Sequence, residues 1–392
     1  MSIRLLCCIG SLQGGGAERQ LVQLLRRFDR SRIQPFLYLV SKTGPLLTEV
    51  PADVPVTAFS ERDRPPWLNW PGRRFRQRVC DLAQVLKDWR IDCVYDRTYH
   101  MTLITAPACS RAGVPRISTV VSEPRSDFDL QERRFRWVKW RLLSRAYRMA
   151  DRVVAVSDGV RNGLLESHHL SPQQVVTIHN PVDRDRIERL SAEPLPPDWN
   201  PAERHIVAVG RLGPEKDFST LIESVRILLQ QNDFRDVRLW ILGEGVLRER
   251  LTGEIAAAGL SEHVFLKGFV ANPYPALRHA AVLALPSRHE GLPGAILEAM
   301  TLGTPVVSTD CKSGPAELLA SGRFGTLVPV GRPDLLAAGL AGVLRDPAEA
   351  RAKAVAGQTH VQEMCGPTAT LERLQSLVEQ VVAESVERSP KT

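Results

Sequence analysis

The chain has 392 residues, with 51 Lys and Arg, 44 Asp and Glu and a formal charge of +7. That length exceeds one small core and suits two domains of about 150–200 residues, while 43% hydrophobic and 24% charged content exclude a largely disordered chain. No apolar run approaches the roughly 18 residues of a bilayer span, and Leu5–Gly10 after Arg4 is too short for a secretory signal, so the chain is expected in the cytoplasm.

The opening run Ile3–Gly10 reads as a first buried strand. It ends in Ser11-Leu-Gln-Gly14-Gly15-Gly16-Ala17-Glu18-Arg19, where three glycines let a ligand approach the backbone and a following helix, Ala17–Phe28, favours negative charge at its start. The dinucleotide fingerprint requires glycine three residues after Gly16, where Arg19 stands, so hydride transfer fits poorly. Further apolar runs follow at Pro35–Val40, Val54–Phe59, Cys93–Asp96, Arg116–Val121, Val153–Ser157 and Val175–His179. Helical spacing fills several gaps, as at Phe75–Trp89 and Val160–Ser167. Short continuous apolar strands alternating with helices predict an α/β fold whose parallel sheet is covered on both faces. His100, after Asp96-Arg97-Thr98-Tyr99, is either a ligand-cleft residue or a helix cap.

Residues 131–148 are strongly basic and aromatic. Phe135, Val138, Leu142, Ala146 and Met149 form one stripe at helical spacing, expected in the core. Trp137, Trp140 and Tyr147 lie on another face among Arg133, Arg136, Arg141 and Arg148, a pattern suited to an anionic membrane interface or to a solvated helix, with no motif for nucleic acid. Met1–Ala150 holds 26 Lys and Arg against 14 Asp and Glu, which points to an anionic partner.

Four prolines within Ser191–Pro201 predict a linker, placed at residues 184–203 between a first domain at 1–183 and a second at 204–365. A C-terminal helix at 366–392 is expected to pack back on the first domain. The second alternating series is Ile206–Val209, Val237–Leu242, Val264–Leu266, Val282–Pro286, Pro305–Thr309 and Thr326–Val330. The fold class is therefore two doubly wound, Rossmann-like domains facing a cleft, with ligands at the carboxyl ends of the strands.

In Gly210-Arg211-Leu-Gly-Pro-Glu-Lys216-Asp217 two cations follow a strand end and can neutralise a diphosphate, Arg211 as a two-pronged donor and Lys216 as a point charge. The stretch Glu290-Gly291-Leu292-Pro293-Gly294-Ala-Ile-Leu-Glu298 places one carboxylate in a turn and another in the next helix, at most ~12 Å apart at helical rise. Amides around Leu292–Gly294 would face a diphosphate lying between them. The two carboxylates suit binding of a sugar and a ribose, or the acid and base of a glycosidase.

The run Gly14-Gly-Gly-Ala-Glu-Arg19, then Val209-Gly-Arg-Leu212 with Glu215-Lys-Asp217, Gly243-Glu-Gly245, Gly268-Phe-Val270 and Glu290 seven residues before Glu298 appear in that order. The set resembles the retaining glycosyltransferases of family 4, of two-domain GT-B fold and the bacterial surface-polysaccharide type. That resemblance implies a metal-independent hexosyltransferase using a nucleotide sugar, UDP-linked, with no resident cofactor. Arg211 and Lys216 would hold the diphosphate, Glu290 the transferred sugar, Glu298 the ribose and Val270 the base, with Gly14–Gly16 near phosphate and acceptor. Many relatives carry a histidine after the strand matching Ile117–Val121; here Ser122-Glu123-Pro124-Arg125 stands, leaving Glu123 and Arg125 as substitutes. The expected acceptor is a polyprenyl-diphosphate-linked sugar or a saccharide at the inner membrane face. A nucleotide-sugar 2-epimerase on the same fold and a non-catalytic sugar-nucleotide-binding protein are the alternatives. The seven scattered cysteines contain no Cys-x-x-Cys pair and read as buried thiols.

Overall fold

A computed structural model describes residues 2–63, 72–132 and 135–388. Two compact units divide it: Met1–Pro181 with Thr368–Thr392, and Val182–Pro367. The first unit runs β1 (Ile3–Ile9), α1 (Gly16–Arg27), β2 (Ile33–Leu39), β3 (Val56–Ala58), α2 (Arg73–Asp88), β4 (Cys93–Arg97), α3 (Tyr99–Ala112), β5 (Arg116–Val120), α4 (Pro124–Gln131), α5 (Arg136–Arg148), β6 (Arg152–Ala155), α6 (Asp158–His168) and β7 (Val175–Thr177). Its seven strands are parallel in the order β3-β2-β1-β4-β5-β6-β7. Alternate residues of the strands face opposite layers, as the period of two requires. Leu5, Cys7 and Tyr95 pack with α1, whereas Leu6, Cys8 and Val94 pack with α2 and α3.

The second unit runs α7 (Arg184–Ser191), β8 (Arg204–Val209), α8 (Phe218–Leu228), β9 (Val237–Leu242), α9 (Arg248–Ala257), β10 (Val264–Gly268), α10 (Tyr274–His279), β11 (Val282–Leu285), α11 (Gly294–Thr301), β12 (Val306–Thr309), α12 (Pro315–Leu318), β13 (Thr326–Val328), α13 (Pro333–Arg345) and α14 (Pro347–Cys365). Its six parallel strands lie in the order β10-β9-β8-β11-β12-β13. A last helix, α15 (Pro367–Arg388), returns to the first unit, where Leu374, Leu377, Val378 and Val381 join the layer under α1. Among the described residues no helix is long and apolar enough to cross a membrane.

Two expectations need correction. Residues 184–191 are not linker but α7, capped by Asp183, whose carboxylate accepts from the Arg186 amide, and packed on α10 and α11 through buried Ile187. On α5 the stripe expected in the core faces solvent: Phe135, Val138, Leu142 and Met149 are exposed, and only Ala146 is buried. The opposite face went inward because its rings find partners: Trp140 stacks on His168 and meets Phe128 edge-on, and buried Tyr147 also meets His168. Trp137 stays outside with the arginines. Arg133 and Arg134 lie outside the described residues. Six of the seven cysteines are buried and all are free; Cys80 is exposed.

Candidate functional site

In the second sheet the chain builds β8, β9 and β10 to one side and then β11, β12 and β13 to the other, so the order reverses between β8 and β11. Loops leaving two such strands diverge and open a crevice at their carboxyl ends. The β8 loop carries Gly210, Arg211 and Lys216; the β11 loop carries Ser287 and Glu290.

The backbone of this region is packed without room for side chains. A Cβ on Gly243 would lie 1.9 Å from the Gly210 carbonyl oxygen, and one on Gly245 would lie 2.5 Å from that of Leu212. The Gly210 amide donates to Leu242, the Leu212 amide to Glu244, and the Gly243 amide to Gly268 at 2.7 Å. Three strand-end loops therefore form one floor, with Val270 half-buried just beyond Gly268. On the other side the loop after β12 supports the loop after β11. Gly314, at φ +93°, leaves no space for a Cβ, which would stand 2.5 Å from the Pro293 ring and 2.8 Å from the Gly291 carbonyl.

Glu290, 9% exposed, is held on three sides. Lys216 Nζ donates to its Oε1 at 2.5 Å, Ser287 Oγ donates to the same oxygen at 2.7 Å, and Ser313 Oγ donates to its backbone carbonyl at 2.5 Å. Thr309 Oγ1 donates to the Ser287 carbonyl, tying the support to β12. Both polar contacts fall on Oε1. Beside this group burial, reinforced by the Glu290 charge, pushes the Cys311 thiol up to about 12, so it stays protonated. Arg211, in contrast, is 70% exposed and donates through Nε and Nη2 to Glu215 Oε1. Arg288 pairs with Asp217 at 3.0 Å.

Glu298 stands on α11 and accepts from Tyr274 Oη at 3.4 Å. Leu292 is buried, and Pro293, the residue before α11, has no N–H, so the amides presented at the helix start are those of Gly294 and Ala295. The structure thus groups Gly210, Arg211, Lys216, Glu290 and Gly291–Gly294 around one switch point, with Glu298 one helix turn further in. Ser287, Ser313, Glu215 and Tyr274 were missed. A signal existed for the first in Ser287-x-x-Glu290, the spacing at which a hydroxyl meets a carboxylate across a turn.

In the first unit the order reverses between β1 and β4. Gly14, at φ +101°, Gly15 and Gly16 leave β1 there, and Glu18 turns back so that the Gly15 amide donates to its carboxylate at 2.5 Å. Among the described residues no atom beyond its chain neighbours and its own helix backbone comes within 4 Å of a Cβ built on Gly16, so the start of α1 is open. His100 is exposed in the first turn of α3, its ring 3.9 Å from that of Tyr99. Glu123 is 3% exposed and caps α4, accepting from the Ser126 amide at 2.6 Å. Arg125 pairs with Asp129 and covers the Trp140 ring, which directs it towards α5. Neither side chain stands free in the manner of a substitute for a ligand-facing histidine.

Among the described residues no group of three His, Cys, Asp or Glu side chains is arranged to hold a metal ion.

Two family models match the chain: Glycosyltransferase Family 4 over residues 14–186 and Glycosyl transferases group 1 over residues 195–359. The N-acetylgalactosamine-N,N'-diacetylbacillosaminyl-diphospho-undecaprenol 4-alpha-N-acetylgalactosaminyltransferase of Campylobacter jejuni is 33% identical over 205 residues, 52% of this chain and 54% of its own length. The lipopolysaccharide core biosynthesis glycosyltransferase LpsE of Rhizobium meliloti is 26% identical over 283 residues, 70% and 78% of the two chains. The chain spans about half the length of the curated relatives that it matches at the higher identities. In fold it is similar to Alr3699/HepE of Anabaena in complex with UDP and glucose, with TM-score 0.79 at 20% identity over 96% of this chain and 100% of that one. It is likewise similar to the sucrose-phosphate synthase of Thermosynechococcus elongatus, with TM-score 0.80 at 16% identity over 97% and 100%.

Proposed function

The chain belongs to the GT-B glycosyltransferases of group 1, and from that premise we propose that it is a retaining, metal-independent hexosyltransferase. It moves a hexose or N-acetylhexosamine from a UDP-linked donor to a lipid-linked or saccharide acceptor in glycan assembly. The observation that carries this reading is the Lys216–Glu290 pair at the β8/β11 switch point, with Ser287 holding the same carboxylate oxygen. A cation and an acceptor-only carboxylate side by side match a substrate that joins a diphosphate to a polyol.

The chemistry follows from those positions. Arg211 and Lys216 turn to the diphosphate and stabilise the charge that grows on it as the glycosidic bond breaks. Glu290 Oε2 receives sugar hydroxyls, Glu298 the ribose diol, and Val270 borders the base. The acceptor hydroxyl oxygen bonds to the anomeric carbon on the face from which the diphosphate departs and passes its proton to the departing diphosphate oxygen, so the anomeric configuration is kept and no protein nucleophile is needed. The complexes of Alr3699/HepE with UDP support the choice of nucleotide, and the diphospho-undecaprenol acceptor named for the Campylobacter relative supports a polyprenyl-diphosphate acceptor. An acceptor of that kind lies at the anionic inner face of the membrane, within reach of a cytoplasmic enzyme.

Incubating the protein with a panel of nucleotide sugars and measuring slow release of the nucleoside diphosphate tests the reading without knowing the acceptor. Release from a UDP-sugar is expected, and Lys216→Ala lowers it by about 10²–10³, the usual loss when one preorganised donor to a developing charge is removed. A Lys216→Ala variant as active as the parent ends this assignment.

A further inference from the structure

Arg288 stands two residues before Glu290, and none of the donor-binding roles accounts for it. Its backbone amide donates to the Glu215 carbonyl at 2.9 Å, and its Nε donates to Asp217 Oδ2 at 3.0 Å. One residue of the β11 loop thus holds the β8 loop on both sides of Lys216. Both bonds bridge loops that leave β8 and β11 at the switch point, where neighbouring loops diverge.

The hold falls on a backbone that requires support. Asp217 adopts φ +48° and ψ 44°, a left-handed conformation that is costly for a residue with a side chain, although aspartate tolerates it better than most. It joins the turn Pro214–Lys216 to α8. Its carboxylate, 6% exposed, also accepts from Thr220 Oγ1 at 2.9 Å. That second bond closes the start of α8 within one segment, whereas Arg288 ties Asp217 to the neighbouring loop. Because the acid is buried, the pair is screened less than one between two exposed groups. Between these anchors Lys216 crosses to the other loop. Its stem runs over Gly210, where an added Cβ would stand 3.2 Å from Cε and 3.4 Å from Cδ, and its ammonium meets Glu290 Oε1.

We infer that Arg288, through Asp217, is a positioning residue for Lys216: it fixes the direction in which the ammonium leaves the β8 loop and keeps it where the diphosphate departs. This role rests on the proposed transferase reading. A lysine carries its charge on a flexible four-carbon stem, so a loosened loop lets the ammonium spend less time where negative charge develops. That charge is greatest in the transition state, and misplacement of Lys216 is therefore read in kcat more than in KM.

Two measurements on the full chain test the assignment. The first needs no donor: brief treatment with acetic anhydride, with acetylation of Lys216 followed by peptide mass spectrometry against the exposed Lys353. Lys216, 18% exposed and paired, is expected to react about fivefold faster in Arg288→Gln and in Asp217→Asn, as suits the loss of one partly screened ion pair. Asparagine keeps the left-handed turn and an acceptor for Thr220, so that variant removes the charge pair alone. Arg332→Gln, which breaks the Arg332–Asp334 pair elsewhere in the second unit, leaves the rate at its parental value. The second measurement is diphosphate release from a UDP-sugar. Arg288→Gln and Asp217→Asn each lower kcat about fivefold at unchanged KM, and Arg288→Lys restores most of the loss. Adding Arg288→Gln to Lys216→Ala costs nothing further, because the ammonium it acts through is gone. Parental acetylation of Lys216, or a parental kcat, in both variants overturns the role. Full additivity with Lys216→Ala, or a change in KM alone, overturns it as well and makes Arg288 a direct donor contact or a general support of the fold. Faster acetylation of Lys216 in a chain that releases no diphosphate from any nucleotide sugar leaves the hold on Lys216 standing and removes the transferase reading instead.

Discussion

Arg211 and Lys216 sit five residues apart in one loop, yet they rest on different carboxylates and in different surroundings. Lys216 and Glu290 are both mostly buried, so their attraction is weakly screened, and in the proposed function a diphosphate replaces it with an equal or better one. Arg211 is exposed, and its pairing with Glu215 is worth about 0–1 kcal/mol in water. In the proposed function Glu215 competes with the donor for the same guanidinium and adds a negative charge on the path of the diphosphate. Glu215→Gln is therefore expected to lower the KM for the nucleotide sugar two- to fivefold, about 0.5–1 kcal/mol, with kcat unchanged. Initial rates against donor concentration measure it; a raised KM would mean that Glu215 holds Arg211 in its working position. Arg211, Lys216, Glu290 and Glu298 were legible because charged residues in that order and spacing follow the apolar runs of β8 and β11. Their supports were less so: Ser287 is marked only by its spacing from Glu290, while Ser313 and Thr309 are small hydroxyls whose contacts with the β11 loop appear only when β12 is laid beside β11.

The strand positions were readable throughout, since a strand buried on both faces leaves an unbroken apolar run. α5 was not readable, because it has two apolar faces and periodicity does not say which one turns inward. Aromatic partners decided it, and their price is a buried, neutral His168. Its Nδ1 shares a 2.7 Å hydrogen bond with Ser144 Oγ, and its ring stacks on Trp140. Burial, with Arg148 and His169 adding repulsion, lowers its pKa from 6.5 to about 3. An unfolded chain therefore binds a proton here below pH 6.5 that the folded chain refuses, so this contribution is complete above that pH and is lost as pH falls towards 3. At pH 5 the loss is about 2 kcal/mol. Denaturation midpoints of the first unit at pH 7.5 and pH 5 should differ more in the parent than in His168→Gln by about that amount. An equal pH response in both proteins would place the titrating group elsewhere.

At the scale of the whole chain, local pattern predicts two sheets but not which segments close each layer. α7 escaped notice because eight residues with little more than Ile187 to bury give almost no periodicity, and the prolines that follow dominate the reading. The crossings at Pro181–Val182 and Pro367–Thr368 are set by packing over hundreds of residues. α15 shows the consequence. Leu374, Leu377, Val378 and Val381 are buried in the first unit, and Gln375 Oε1 accepts from the Asp29 amide at 2.8 Å. Arg32 is bound by both Glu372 and Glu379, and Arg152 by Glu384. The ion pairs are partly exposed and contribute little. The four apolar side chains, at about 1.5–3 kcal/mol each and counted as upper bounds, amount to roughly the entire stability of a domain. A chain ending at Pro367 is then expected to lose the unfolding transition of the first unit while the second, Val182–Pro367, melts as before. Calorimetry with limited proteolysis resolves the two: rapid cleavage should fall within residues 2–181, and supplying residues 368–388 as a peptide should restore protection there. A truncated chain whose first unit resists protease as the parent does would show that α1 and the sheet close that layer without α15.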